Sequence, residues 1–229
     1  MIRLFLLLIF LTSCDSHSVE QIAVKVPEGL VVPEGMVYIP AGEFIMGDTS
    51  GDQSGKQVQS GAYLIDRYEV SHENYQKIRP EHSFDPKMAR WPVAFVTHAE
   101  AEAFCHAEGK RLPSEIEWEK AARGTDGRKW PWKIFIAHPN NGFSGFMPEP
   151  VDKRPGWISP YGVYGMGHNV WEWTAADYTP AGRTGKFKVL RGGLLQTHLT
   201  IQFSPSWFRN WMDPEARLNF IGFRCARDI

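Results

Sequence analysis

The stretch Gly109-Lys110-Arg111-Leu112-Pro113-Ser114-Glu115 separates two predicted helices in the middle of the chain. The first helix would begin after Thr97, which can cap its first turn, and would end at the glycine that opens the stretch. Ser114 begins the second helix, because a Glu follows it at capping-box spacing and Gly124 supplies the stop. Both helices are short, so this stretch predicts a domain in which helices are a minority.

The sequence on either side of these helices predicts short strands. Residues 35–47 alternate around Pro and Gly, which predicts a strand, a turn and a second strand, and residues 63–70 predict another strand. Ser71 then fits the cap of a short helix. Residues 48–61 are polar and rich in Gly and Ser, which predicts a mobile loop, and turns and short strands follow Gly124. The chain is therefore expected to be α+β with little regular secondary structure.

Composition limits the classes of partner. The 229 residues hold 25 Lys and Arg against 26 Asp and Glu, a formal net charge of -1, so we expect no nucleic-acid partner. Nine Trp and 14 Phe are enough to build a core around irregular chain, because aromatic side chains bury large areas. One domain over residues 34–229 is the organisation we expect.

The N-terminus resembles an export signal. A positive start, Met1-Ile2-Arg3, precedes an apolar run from Leu4 to Leu11 and then Thr12-Ser13-Cys14. The run is too short to span a bilayer, which takes roughly 20 residues. Two interpretations stay open: a bacterial lipobox whose Cys14 is lipidated, which we favour, and a plain signal peptide that is cleaved nearby.

The lipobox interpretation sets the expected location. Residues 1–13 would be a lipoprotein signal peptide, and residues 14–33 a lipidated Cys14 with a polar tether. Acyl chains would hold the protein on the periplasmic side of a bacterial membrane. Asp15 resembles a retention signal for the inner membrane, so we expect the inner membrane rather than the outer one.

Two cysteines remain, Cys105 and Cys225. In an exported chain they suggest a disulfide, which would close a loop of about 120 residues and stabilise the fold by roughly 4–5 kcal/mol in the chain-entropy model. The alternative is two buried free thiols.

A series of motifs follows a fixed order along the chain: residues 35–47, 65–71, 92–93, 101–105, 109–115, 117–124, 161–164, 169–174 and 191–193, and then Arg209, Pro214, Arg217 and residues 221–225. Together these motifs resemble the formylglycine-generating-enzyme (sulfatase-modifying-factor) family. The resemblance runs from about residue 35 to the C-terminus and implies one compact domain related to C-type lectins, with Cys105 bridged to Cys225.

The resemblance also locates what this chain lacks. In the enzymes of the family two thiols bind Cu(I) shortly after Arg-Gly-Gly, and here Thr197 and Gln202 occupy those two positions. Copper is therefore not expected. His198 matches a groove histidine of the oxidases, and it is the catalytic candidate. Trp171 matches a residue that lines the substrate groove, although a place in the core is an equal alternative.

A calcium site of the family looks damaged in the sequence. Gly165 and His168 replace two of its usual residues, and Glu172 is the carboxylate that remains. Calcium prefers six to eight oxygen ligands, so weak calcium binding or none is expected, and the sequence establishes no cofactor. The remaining charged and aromatic positions of the motifs are expected to be structural. They are Arg111, Glu115, Glu119 and Arg123 as ion pairs, and Trp118 and Trp173 in the core.

Three functions follow as hypotheses, and whether the chain is an enzyme is left open. The first is a lipid-anchored factor that binds or matures an exported protein or peptide. The second is a cysteine-independent oxidoreductase of the pyoverdine-maturation type, acting on a peptide with His198 as general base. The third and least favoured is a genuine formylglycine-generating oxidase.

Overall fold

The computed structural model describes residues 21–51, 55–132, 148–182, 184–193 and 205–229. Within these residues no helix is both long enough and apolar enough to cross a membrane. The strands are β1 (Met36–Ile39), β2 (Gly42–Met46), β3 (Lys56–Ser60), β4 (Tyr63–Asp66), β5 (Trp171–Tyr178), β6 (Phe187–Gly192), β7 (Asn210–Met212), β8 (Ile221–Gly222) and β9 (Ala226–Asp228). The α-helices are α1 (His72–Ile78), α2 (His98–Ala107) and α3 (Glu115–Arg123), and a 3-10 helix spans Pro86–Met88.

The strands form three small sheets. One has the order β1-β4-β9, the second is the β2-β3 hairpin, and the third has the order β7-β6-β5-β8. All pairs are antiparallel except β5 with β8, which is parallel. The predicted α+β class with little regular secondary structure is confirmed.

Local capping explains where the helices begin. Thr97 and Ser114 each accept a hydrogen bond from the backbone N–H three residues on, and the Glu side chain at that position accepts one from the backbone N–H of the cap, so both form capping boxes. Ser71 caps α1 in the simpler way, by accepting from Asn74 N–H. Gly124 follows α3 at φ +70°, a conformation that glycine adopts without steric cost. The three predicted helix starts are confirmed.

The predicted mobile loop over residues 48–61 was wrong for its second half, which forms β3. This strand pairs with β2, with Phe44 opposite Val58. Val58 is the sole apolar side chain of β3, so the sequence lacks the alternation that marks a strand. The pairing depends instead on backbone hydrogen bonds to β2, which the composition of β3 does not reveal. The predicted strand over residues 63–70 is also shorter than expected and ends at Asp66.

The part of the predicted tether that the structure describes lies against the domain. Ile22 N–H donates to Pro160 O at 2.7 Å. Val24, Leu30 and Val32 pack on the buried side chains of the β1-β4-β9 sheet. The signal segment and Cys14 lie outside the described residues.

The core is divided between the two larger sheets. One cluster joins α2 to the β5-β6-β8 strands around Phe104, Trp173 and Phe223, and a second joins α3 to the first sheet around Trp118 and Ile65. A disulfide between Cys105 and Cys225 links α2 to the segment before β9, which confirms the predicted pair. Both cysteines are fully buried in the first cluster, and Cys225 directly precedes β9. The bond therefore ties this cluster to the C-terminal strand.

Candidate functional site

Three motifs of the sequence meet at the β5-β6-β8 edge of the third sheet. Trp171 lies opposite Gly192 of β6 and beside Ile221 of β8, while Glu172 lies opposite Arg191. The strand register therefore brings the Trp-Glu-Trp, Arg-Gly-Gly and Gly-Phe-Arg-Cys stretches together, although they are far apart in sequence. We take this edge and the groups around it as the candidate site.

Glu172 is held by a buried network. Arg224 donates to both of its carboxylate oxygens, from Nε and Nη2, at 2.7 Å each, and Trp118 Nε1 adds a third bond at 2.8 Å. The side chains of Glu172 and Arg224 are fully buried. Such an ion pair is stable in the interior only when its polar atoms are satisfied, and these bonds satisfy the carboxylate of Glu172.

Glu69 is a site residue that the sequence analysis did not single out. It is buried, and neither carboxylate oxygen has a hydrogen-bond partner by geometry among the described residues. Burial raises the pKa of Glu69 to about 8, Arg224 acts to lower it, and Glu172 raises it further. No sequence signal pointed to Glu69, because it meets Gly165 only in the folded chain. A Cβ built on Gly165 would lie 2.5 Å from the Glu69 carboxyl, so the missing side chain at Gly165 leaves the space that Glu69 fills.

The residues around Glu69 can be tested against the calcium that the family implies. An orphaned buried carboxyl beside a second carboxylate suits a hard cation, and Glu69 with Glu172 are the side chains that would hold it. Glu172 already accepts three hydrogen bonds, so Glu69 is the freer donor of the two. Within the described ranges, no three His, Cys, Asp or Glu side chains converge as a metal cluster. Weak calcium binding or none therefore stays the prediction, and Glu69 joins Glu172 as a residue that would hold the ion.

Arg191 occupies the centre of a second buried network. Its guanidinium pairs with Glu119 at 2.5 Å and Glu115 at 3.2 Å, and donates to Ser206 O at 2.7 Å and Trp207 O at 3.1 Å. It therefore joins the end of β6 to Ser206 and Trp207 and to the face of α3.

The ion pairs expected from the sequence lie on α3 and beside it. Arg123 and Glu119 pair at 2.8 Å in the interior, and Arg209 shares Glu115 with the network around Arg191. Arg111 pairs instead with Glu117, at 2.7 Å, where the two side chains are partly exposed. Three of the four predicted residues thus belong to one buried network.

The described residues place Trp171 in the core. It is 4% exposed, and its ring centroid lies 6.0 Å from that of Phe208. A groove-lining role for Trp171 stays a prediction. The catalytic candidate His198 and the positions of the missing thiols, Thr197 and Gln202, lie outside the described residues.

The thiolate copper centre of the family's oxidases does not fit this chain. The sequence has three cysteines, and Cys105 and Cys225 are bonded to each other. The remaining one, Cys14, belongs to the N-terminal segment, so the domain has no pair of free thiolates to bind Cu(I).

An open pocket of about 490 Å³ lies between the β2-β3 hairpin and the start of α3. It combines apolar side chains with charges of both signs, and Trp207 is the aromatic residue of its lining. Its lining includes Met46, Asp48, Lys56, Val58, Trp207 and Arg209. This mixture suits an extended peptide better than a purely apolar ligand.

Comparisons with known proteins agree with this architecture. Residues 24–229 match the family model described as the sulfatase-modifying factor enzyme 1-like domain. The hercynine oxygenase of Mycolicibacterium smegmatis is 37% identical over 163 residues, which cover 60% of this chain and 38% of that protein. The inactive C-alpha-formylglycine-generating enzyme 2 of Mus musculus is 25% identical over 304 residues, covering 96% of this chain and 91% of that protein.

Among solved structures, PvdO from Pseudomonas aeruginosa matches with a TM-score of 0.64 and 25% identity, covering 85% of this chain and 94% of that one. The chain spans 36% to 58% of the length of the first curated relatives that it matches. The family model covers nearly the whole described domain. The chain therefore belongs to the sulfatase-modifying factor (formylglycine-generating-enzyme-like) family, whose named relatives include oxygenases.

Proposed function

We propose that this protein is a lipid-anchored exported factor whose family domain binds, or helps to mature, an exported protein or peptide. The observation that carries the proposal is the Cys105–Cys225 disulfide. It occupies both cysteines of the domain, so the scaffold of the oxidases is kept while their thiol chemistry is not available. The domain is therefore proposed to bind its partner and not to use thiol chemistry.

The pocket beside the β2-β3 hairpin supports a peptide as the bound group. Val58 and Trp207 offer apolar area, while Lys56 and Arg209 can bind carboxylate or carbonyl oxygens of a backbone. A peptide supplies both kinds of group along a short length, and pockets that combine them fix orientation as well as affinity.

Site-specific crosslinking tests this binding. A photo-crosslinking residue at position 58, with the full-length lipoprotein in its own membrane, should capture a defined exported partner. Val58→Asp should abolish capture by a crosslinker placed at position 207. Gln57→Asp is the matched control, because Gln57 is exposed on the same strand and is not among the lining residues of the pocket. Equal capture by both Asp variants would contradict the proposal.

Anchoring through Cys14 is tested separately. With a fatty acid label, the wild-type chain should carry the label and sediment with membranes. Cys14→Ser should lose the label and leave the protein unanchored or unprocessed. Labelled protein from the Ser variant would show that the lipobox interpretation is wrong.

A second candidate function is a cysteine-independent oxidation of a bound peptide. The similarity to hercynine oxygenases favours it, since those relatives are named for an oxygenase activity. His198 would act as general base. His198→Ala should then abolish function in a knockout complemented at native levels while folding is retained, whereas a fully active variant would exclude this role.

Competition with Ag(I) or Cu(I) tests the third function, the genuine copper-dependent oxidase. Stoichiometric tight binding of copper while Cys105 and Cys225 are oxidised would support that function.

A further inference from the structure

Two histidines that are ten residues apart in sequence meet edge to edge on the surface of the domain. His72 opens α1, and His82 lies in the turn that follows this helix. His72 Nδ1 and His82 Nε2 are 2.8 Å apart. The ring planes differ by 9° and the centroids are 5.1 Å apart, so the two nitrogens face each other along the line that joins the rings. This is the geometry of an N–H···N hydrogen bond, in which one ring donates and the other accepts.

Other aromatic rings hold this pair in place. Phe84 lies against both imidazoles, with centroid distances of 5.3 Å to His72 and 5.7 Å to His82. Tyr75 meets His82 edge-on at 5.0 Å, and Gln76 Nε2 donates to His82 O at 2.8 Å. The pair therefore fastens the turn of residues 79–86 to α1 at one polar point inside an aromatic patch.

The electrostatics of the site disfavour extra protons. Burial, and after it the neighbouring His82, lowers the pKa of His72 to about 4. Burial also lowers the pKa of His82, and Glu81 on the same turn acts in the opposite direction. Glu73, which follows His72 on α1, pairs with Arg90 at 3.7 Å, and both side chains are exposed to water, so this ion pair acts only weakly on the histidines.

We propose that His72 and His82 form a proton-operated latch that holds the turn of residues 79–86 against α1 and releases it in acid. In the neutral pair one ring donates its N–H to the lone pair of the other. A first added proton goes to the free nitrogen of the donor ring and leaves this bond intact. A second proton must go to the accepting lone pair, so it removes the bond and places two positive charges side by side.

The consequence is a switch with a defined direction. Because the folded turn binds protons less readily than the unfolded chain does, the latch contributes its full stability above about pH 6.5 and loses it as the pH falls toward 4. The two pKa values belong to the pair of rings as a unit, and the latch opens as the pH falls through the lower of the two. The open pocket beside the turn, lined by Pro80, Phe84 and Pro86, would change shape with it.

Imidazole NMR and amide exchange test the latch in the full-length protein in detergent micelles. With ¹⁵N-labelled histidine, the wild-type pair should titrate in two separated steps, with the shared N–H signal lost in the second. After correction for intrinsic exchange rates, the protection factors of the amides in residues 79–86 should fall about tenfold across the second step. A change of that size corresponds to the loss of one hydrogen bond.

Variants make the test decisive. His82→Phe keeps an aromatic ring but cannot bond, so protection should be low and independent of pH, and His72→Phe is the second variant should the first not fold. His106→Phe, at the exposed end of α2, is the control and should keep the wild-type profile. Independent titration of both histidines near pH 6.5, or a wild-type profile in both Phe variants, would overturn the proposal.

Discussion

Because Gly165 has no side chain, the carboxyl of Glu69 can occupy the buried space beside it. The backbone of Gly165 has φ +77°, a region that other residues rarely adopt, and its missing side chain leaves room for the carboxyl of Glu69. A carboxylate from another segment thus occupies the space beside the position where the usual calcium residue of the family is missing. Sequence alone could not reveal this, because Glu69 and Gly165 meet only in the folded chain.

Gly165→Ala should destabilise the protein more than a glycine replacement with the same backbone strain and no overlap. Both Gly165 and Gly29 have positive φ, of 77° and 81°, but a Cβ at Gly29 would contact nothing within 4 Å. The backbone strain is about 1–2 kcal/mol in both variants, and overlap with Glu69 adds roughly 1–3 kcal/mol for Gly165→Ala alone. Urea unfolding of both variants measures the difference, and equal losses would show that Glu69 does not fill this space.

The position of Glu69 leads to a prediction of how calcium changes the thermal stability of the protein. If Glu69 and Glu172 hold the ion, saturating calcium should raise the Tm of the wild-type protein above its value in chelator, since a ligand that binds only the folded state stabilises it. Glu69→Gln should lose this increase while remaining folded in chelator, because a pKa of about 8 leaves the Glu69 carboxyl mostly uncharged at neutral pH and the amide is uncharged as well. A Tm that does not change with calcium in either protein would exclude the site.

At the scale of elements, the sequence predicts what is decided locally. The starts of α2 and α3 follow from Thr97 and Ser114, since a capping box lies within four consecutive residues. Strand β3 was missed because its partner, β2, decides its conformation and its own sequence holds one apolar residue. Local hydrogen bonding is therefore readable from sequence here, and pairing between strands is not.

Helix α3 supports both buried networks, so its cap affects the candidate site. Ser114→Ala removes the side-chain acceptor for Glu117 N–H and should cost about 1 kcal/mol in the free energy of unfolding. Ser114→Asp keeps an acceptor and should lose much less. Chemical denaturation followed by tryptophan fluorescence is the measurement, and similar losses in both variants would mean that the cap contributes nothing here.

At the scale of the molecule, the order of motifs predicted the family, and the structure adds how distant segments combine. Cys105 with Cys225, and Glu172 with Arg224, each connect parts of the chain that are over 50 residues apart. The resemblance supplied the first pair. The second pair could not be predicted, because both residues were assigned to other motifs and no local pattern relates them.

The disulfide should contribute more to stability than any other single feature of the domain. It closes a loop with a sequence separation of 120 residues, and in the chain-entropy model its loss costs roughly 4–5 kcal/mol. Cys105→Ala with Cys225→Ala should therefore shift the urea midpoint sharply downward while leaving Cys14 available for anchoring. The single variant Cys105→Ala is expected to be no more stable than the double variant, because it leaves a buried free thiol without its partner. A double variant as stable as the oxidised wild type would show that packing around α2, and not the bond, holds the C-terminal strand in place.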